Sequence, residues 1–208
     1  AFTQEEEAFR AEARAWLEAN VPSQPLPSFD TEEGFALHRE WERTLWEGRW
    51  SAVSWPEEYG GRGLSPRFQA IYLEEEARAE GPPHIGVIGL GMAGPTIITR
   101  GTEAQKARYL QPLLAADEIW CQGFSEPGAG SDLAGVRTSA RLDGDRFVLD
   151  GQKVWSSYAH IADFCILLAR SDPDSQRHAG LTYVIVDMHA PGVEVRPLRQ
   201  ITGESEFN

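Results

Sequence analysis

Residues Ile85–Gly94 read IGVIGLGMAG and contain a G-x-G-x-x-G run at Gly89, Gly91 and Gly94; how this stretch is read decides the fold. A dinucleotide-binding turn needs a strand before the glycines, a helix after them, and a second strand whose acidic end meets a ribose about 20 residues on. The residues after Gly94 read PTIITRGTEAQKARYLQPLL, in which Thr102 and Gln105 are spaced as a capping box. A further helix therefore stands where the second strand is required. The chain before Ile85 is also helix-patterned, so there is no neighbouring parallel strand to join. The stretch is predicted as a buried helix over about 83–99, with Gly86, Gly89, Gly91 and Gly94 letting other helices approach at a cost of up to about 1 kcal/mol each.

Outward from this point the apolar period stays helical from Thr3 to about Ala116. Thr3 and Glu6 form a capping box before a face of Phe9, Ala13, Trp16 and Leu17, and Pro22 ends the segment. VPSQPLPS is a linker, after which Asp30 is predicted to cap a helix bearing Leu37, Trp41 and Leu45 and stopping at Gly48. RWSAVSWPEEYGGRGL is a turn-rich connection, and Ser65-Pro66 opens the next helix, which stops at Gly81-Pro82. Beyond Glu118 the period changes to two. TSARL and RFVLD flank Asp143-Gly144, RFVLD and QKVWS flank Asp150-Gly151, and FCILLAR, LTYVIVD and VEVRPL follow. The expected fold is α+β and multidomain: an all-α bundle over 1–117, then an antiparallel β-barrel or sandwich-like domain over 118–208, incomplete at its end.

The 208 residues are 41% hydrophobic and include seven Trp, enough for a sizeable core. Acidic residues outnumber basic ones 32 to 19, and the net charge of −13 repels nucleic acid and anionic membranes at long range. Any anionic ligand must then be held by local groups. No apolar run approaches the roughly 20 residues that cross a bilayer, and AFTQEEEAFR resembles neither a secretory nor a transit segment; a cytoplasmic location is expected. Cys121 and Cys165 form no CxxC or Cys/His cluster, which reads as buried free thiols with no metal.

GFSEPGAGSDLAG, Gly123 to Gly135, is the segment richest in chemistry. Pro127, Gly128 and Gly130 keep it out of helix and sheet, leaving backbone N–H groups free, and Ser125 and Ser131 add hydroxyls. Glu126 and Asp132 would repel an anion, so phosphate cradling by this loop alone is unnatural. The residues by themselves leave open both a ligand loop and an ordinary Gly/Ser turn.

GFSEPGAGSD, then DGQKVWSSYAHIADFCILLARSD, with WPEEYGG and GTEAQKARYL upstream, resemble the acyl-CoA dehydrogenase family of flavoenzymes over essentially the whole chain. The resemblance implies a helical domain, a middle β domain and a carboxy-terminal helical bundle, and places the third part, with the closing strand of the β domain, beyond Asn208. It implies FAD as cofactor, held by Gln122, Phe124, Ser125, Gly130, Ser131, Trp155, Ser156 and Ser157. In that reading Ser125 and the Phe124 amide face the flavin N1/O2 edge, where donors stabilise the charge that hydride arrival creates. Trp155 packs on the ring, Ser157 bonds N5, Ser156 adds main-chain contact, and Ser131 reaches both cofactor and CoA. Isolated from the motif, Trp155 reads as strand packing, His160 as a packing or surface histidine, and Glu126 and Asp132 as carboxylates that steady the loop.

The sequence departs from the family at Phe124, where a smaller aliphatic residue is usual, and at Ser125 and Ser157, where threonine is common. The family's base, a Glu of the carboxy-terminal bundle, has no counterpart here, so no catalytic residue is assigned. The implied activity is α,β-dehydrogenation of an acyl-CoA, with an electron-transfer flavoprotein as acceptor and a homo-oligomer, tetramer or dimer, as the assembly. The alternatives are a half-active or non-catalytic subunit of a flavoprotein hetero-oligomer and a flavin-dependent oxidase or monooxygenase.

Overall fold

Thr3 opens the first helix, α1 (Gln4–Asn20), with both bonds of the expected box: Glu6 N donates to Thr3 Oγ1 at 3.2 Å and Thr3 N to Glu6 Oε2 at 2.7 Å. The second helix, α2 (Glu32–Glu47), is capped by Thr31 and not by Asp30, because the Thr31 hydroxyl accepts from Gly34 N at 3.1 Å. Pro66 begins α3 (Pro66–Arg78), where its missing N–H is no loss. Phe9, Leu17, Trp41, Leu45, Trp50 and Tyr72 form the core of these helices, and the Trp50 and Tyr72 rings stack at 5.2 Å. A guanidinium pair locks α1 to α3, with Arg10 and Arg14 donating to the buried Glu75 carboxylate at 2.6 and 2.8 Å.

The computed structural model describes residues 2–208, and in it the glycine run is helical. A helix starts at Val87, loosens into a π-turn over Gly89–Ala93, closed by Gly94 N donating to Gly89 O, and continues as α4 (Gly94–Arg100). The dinucleotide reading is excluded, since no strand precedes the glycines. The start lies later than expected because residues 83–86 are held off the helix: Glu42 Oε1 accepts from Gly86 N at 3.1 Å, and His84 bridges Glu42 and Glu76 at 3.2 and 3.0 Å. Close approach is real at Gly94, where a Cβ would sit 2.1 Å from the Trp55 ring, and absent at Gly91, which faces open space. The last helix is α5 (Glu103–Leu114), with the Thr102/Gln105 box in place and Pro112 inside it.

The chain divides into two units, the first ending at Asp117 and the second running Glu118–Asn208. The second is built on β1 (Trp120–Gly123), β2 (Ser139–Asp143), β3 (Arg146–Asp150), β4 (Phe164–Arg170) and β5 (Leu181–Asp187). The order of helices then strands is as expected; the pairing is not purely antiparallel. β4 is central, antiparallel to β5 along its length, parallel to β1 from Trp120↔Phe164 to Gly123↔Leu167, and parallel to the start of β2 at Ser139↔Arg170. The sheet is therefore mixed and open, not an antiparallel barrel or sandwich. Only β2 and β3 form the expected short hairpin, turning at Gly144 with φ 64°.

QKVWS and VEVRPL are not strands. Val154 N is taken by Ser125 O, Trp155 turns left-handed, and Leu198 makes only an isolated bridge to Phe207. Cys121 and Cys165 are buried free thiols, paired in register between β1 and β4. Among the described residues no helix is long and apolar enough to cross a membrane, and no group of three or more His, Cys, Asp or Glu side chains is placed to hold a metal ion.

Candidate functional site

The site grows from the end of β1. Gly123 is required there by contact: a Cβ would lie 2.8 Å from Leu167 Cδ1 and 3.1 Å from Cys165 Sγ. The chain then leaves the sheet as the loop beginning at Phe124, and residues 153–157 are tied to it. Lys153 Nζ donates to Phe124 O at 3.0 Å and to Glu126 Oε1 at 2.9 Å. Val154 N donates to Ser125 O at 2.9 Å, and Gln122 Nε2 donates to Ser157 Oγ at 3.3 Å. These bonds bring Gln122, Phe124, Ser125, Trp155 and Ser157 into one neighbourhood from two distant stretches of sequence.

Glu126 is the knot of this arrangement. Besides Lys153 it accepts the amides of Arg137 and Thr138 at 2.7 and 2.8 Å. Burial alone would raise its carboxyl, but hydrogen bonds from Thr138, Lys153 and the Arg137 amide outweigh that and hold it at about 2. Lys153 and Glu126 are 10% and 8% exposed at the side chain, so this is a buried, fully bonded ion pair. Its role is to fix the loop, which is the part expected of Glu126. Lys153 was not singled out in the sequence, although a lysine two places before the key Trp, in a segment otherwise short of cations, was the available signal.

Trp155 departs most from expectation. It has φ 60° and is 58% exposed, its ring meeting Phe207 edge-on at 5.9 Å and 85°. A bulky residue in left-handed backbone is uncommon and is held only where the surroundings over-determine it. The surroundings do so: Ser156, 8% exposed, exchanges backbone bonds with Asn208 at 3.1 Å on either side of the turn. Tyr158 is left-handed as well, at φ 58°. Phe124 turns its ring toward Tyr183, edge-on at 5.7 Å, and packs on the small core of Ala129, Val136 and Leu168. Gly130 and Ser131 lie exposed further along the loop, and no bond ties them to residues 153–157.

The residues fit a flavin. Gln122 Oε1 is buried with no hydrogen-bond donor, a cost that a ligand N–H or hydroxyl would relieve. The same side chain donates to Ser157 Oγ at 3.3 Å, Ser125 follows three residues on in the loop, and Trp155 is exposed two residues before Ser157, so hydroxyls and an aromatic ring of the kind a flat polar ring system needs are gathered in these two stretches.

The sequence pattern described as "Acyl-CoA dehydrogenase, N-terminal domain" matches residues 3–117, and that described as "Acyl-CoA dehydrogenase, middle domain" matches 121–208. The chain belongs to the acyl-CoA dehydrogenase family. A curated member, "Acyl-CoA dehydrogenase IpdE1" of Mycobacterium tuberculosis, is 46% identical over 211 residues, covering 99% of this chain and 55% of the relative. Among solved structures, the "Tcur3481-Tcur3483 steroid ACAD" superposes with a TM-score of 0.84 at 33% identity, over all of this chain and 54% of that one. The ChsE4-ChsE5 complex from Mycobacterium tuberculosis gives 0.82 at 34%, over all of this chain and 52% of that one. The chain thus spans about half the length of the acyl-CoA dehydrogenases it matches.

Proposed function

We propose that the chain forms the flavin-facing part of an FAD-dependent dehydrogenase that places an α,β double bond in an acyl-CoA thioester. The observation that carries this reading is the tie between Gln122–Glu126 and Lys153–Ser157, two stretches that include an exposed Trp155 and a buried Gln122 oxygen with no donor. In this reading Gln122, Phe124, Ser125, Trp155, Ser156 and Ser157 hold the ring, and Gly130 and Ser131 continue the contact toward the phosphates and the CoA.

The chemistry that FAD supplies when bound is acceptance of the hydride from the substrate β-carbon. The protein's part is positional. Ser125 and Ser157 present hydroxyl donors that need no reorganisation during reaction, because Val154 and Gln122 already fix their stretches of chain. The Trp155 ring supplies a flat wall that orients the ring and sheds water from one side. The α-proton goes to a carboxylate outside residues 1–208, in the portion that the relatives possess in addition. The two units correspond to a helical amino-terminal domain, 1–117, and most of a middle β domain, 118–208. The acceptor of the electrons is an electron-transfer flavoprotein, and the protein works in the cytoplasm.

The assembly admits two readings. A homo-oligomer is one; the other is a hetero-oligomer whose partner chain carries the base, favoured by the similarity to a complex named for two different chains, ChsE4-ChsE5. The test is anaerobic addition of acyl-CoA esters to the purified flavoprotein: bleaching of the visible flavin band supports dehydrogenation, and a band unchanged by any ester, alone or with a co-expressed partner, overturns it. Oxygen consumption in place of acceptor reduction identifies an oxidase or monooxygenase instead.

A further inference from the structure

The first unit contains a buried set of titratable groups that the proposed chemistry does not use. His38, on α2 and 2% exposed, meets a backbone carbonyl at each ring nitrogen: Nδ1 lies 2.9 Å from Pro83 O and Nε2 3.2 Å from Pro27 O. Among the described residues no backbone N–H donates to either carbonyl. A carbonyl only accepts, and a neutral imidazole carries one N–H, so the neutral ring serves one of the two and turns a lone pair toward the other. The imidazolium alone serves both. Gly34, one turn before His38, lets the linker lie this close to α2, since a Cβ there would sit 2.0 Å from Ser28 O and 2.9 Å from Pro27 O.

The surroundings tolerate a charge on this ring. On its own helix Glu42, 2% exposed, stands one turn on, while Arg39 is committed to Ala116 O and Asp117 O. From α3 come Glu76, 7% exposed, and Tyr72, whose hydroxyl donates to Glu76 at 2.8 Å; Glu75 of the same helix is taken by Arg10 and Arg14. The stretch 83–86 brings His84, which bridges Glu42 and Glu76. The linker's one acid, Asp30, is exposed, and its Phe29 ring meets His38 edge-on at 5.5 Å. Burial works against charge on His84, but its bonds to the two carboxylates raise it to about 10. Two buried carboxylates then face one charged histidine, and a second cation at His38 makes the set neutral.

We propose that His38 is a proton-operated clamp: protonated, it holds the linker at Pro27 and the stretch 83–86 at Pro83 against α2 together, and loss of the proton releases one of the two. The clamp sets the footing of the helix that follows, whose Val87 is 46% exposed and whose Gly91 faces open space. The test is hydrogen–deuterium exchange of the intact protein, followed by mass spectrometry in peptides covering 21–31 and 81–90 and corrected for the intrinsic rate. It is run between about pH 5.5 and about pH 8.5, the range in which imidazoles titrate. Protection in one or both stretches is expected to fall about tenfold as pH rises, the loss of one charge-assisted hydrogen bond. His38→Gln, which does not titrate, should abolish that step, and His84→Asn should keep it, because His84 gives up its proton only near 10. Protection in the parent that does not change with pH, a step that survives in His38→Gln, or a step that His84→Asn removes overturns the proposal. His38 and His84 are the histidines of residues 1–117, so if His38→Gln does not fold, a step shared by the parent and His84→Asn still supports the clamp. The readout involves no turnover, and the dehydrogenase reading stands or falls separately.

Discussion

Lys153 and Glu126 share a buried ion pair on which the loop geometry turns, and pairs of this kind are costly to break one partner at a time. Lys153→Met leaves the Glu126 carboxylate buried against amides alone, and a loss of about 3–5 kcal/mol is expected in denaturant unfolding. The double variant Lys153→Met/Glu126→Gln should recover much of that, because no charge is then left uncompensated. The pH dependence has a definite sign. Glu126 is held at about 2, below its ordinary value of 4.5, so its stabilisation is fully present above about 4.5 and disappears as pH falls toward 2. Melting curves of the parent and Glu126→Gln should therefore converge on acidification through that window and stay apart above it.

At the scale of elements, the glycine run gives the sharpest contrast. Gly94→Ala drives a methyl into the buried Trp55 ring and should destabilise by about 1–3 kcal/mol or more, whereas Gly91→Ala meets nothing and should be neutral or gain up to about 1 kcal/mol of helix propensity. Thermal melts of the two variants separate these outcomes. His84 latches the irregular stretch ahead of that helix. Burial opposes its charge, but the bonds to Glu42 and Glu76 prevail and raise it to about 10. Its stabilisation is thus complete below pH 6.5 and fades as pH rises toward 10, a loss that His84→Asn should not show.

The helical half was legible because caps and apolar spacing are local: Thr3 with Glu6, Pro66, and Thr102 with Gln105 all act within a turn of themselves. The β half was legible as strands and not as a sheet. Nothing local in FCILLAR announces that its neighbour is the distant β1, running parallel. QKVWS alternates like a strand, yet the tertiary bond from Val154 to Ser125 and the left-handed Trp155 take it out of one. The candidate site residues follow from the motif, whereas the Lys153–Glu126 knot that ties their two stretches together depends on a contact across the fold that spacing does not reveal.

For the molecule as a whole, the family is established and the assembly is the open variable. Native mass measurement of the protein expressed alone and beside candidate partner chains should return either a multiple of 23.1 kDa for the chain of 208 residues or a mixed stoichiometry. The first outcome supports the homo-oligomer, the second the two-chain reading. Retention on a polyanionic matrix at physiological salt is not expected from a chain of charge −13.

Trp155 offers an optical handle on all of this. Trp41, Trp50, Trp55 and Trp120 are 5% exposed or less, while Trp155 stands 58% open to solvent. Trp16 and Trp46 are half-buried, so iodide should quench a minor, red-shifted share of the intrinsic emission, and Trp155→Phe should remove the most accessible part of it. A planar guest seated on the indole would shield it from the same quencher, turning a solvent-facing side chain into a gauge of occupancy readable in a cuvette.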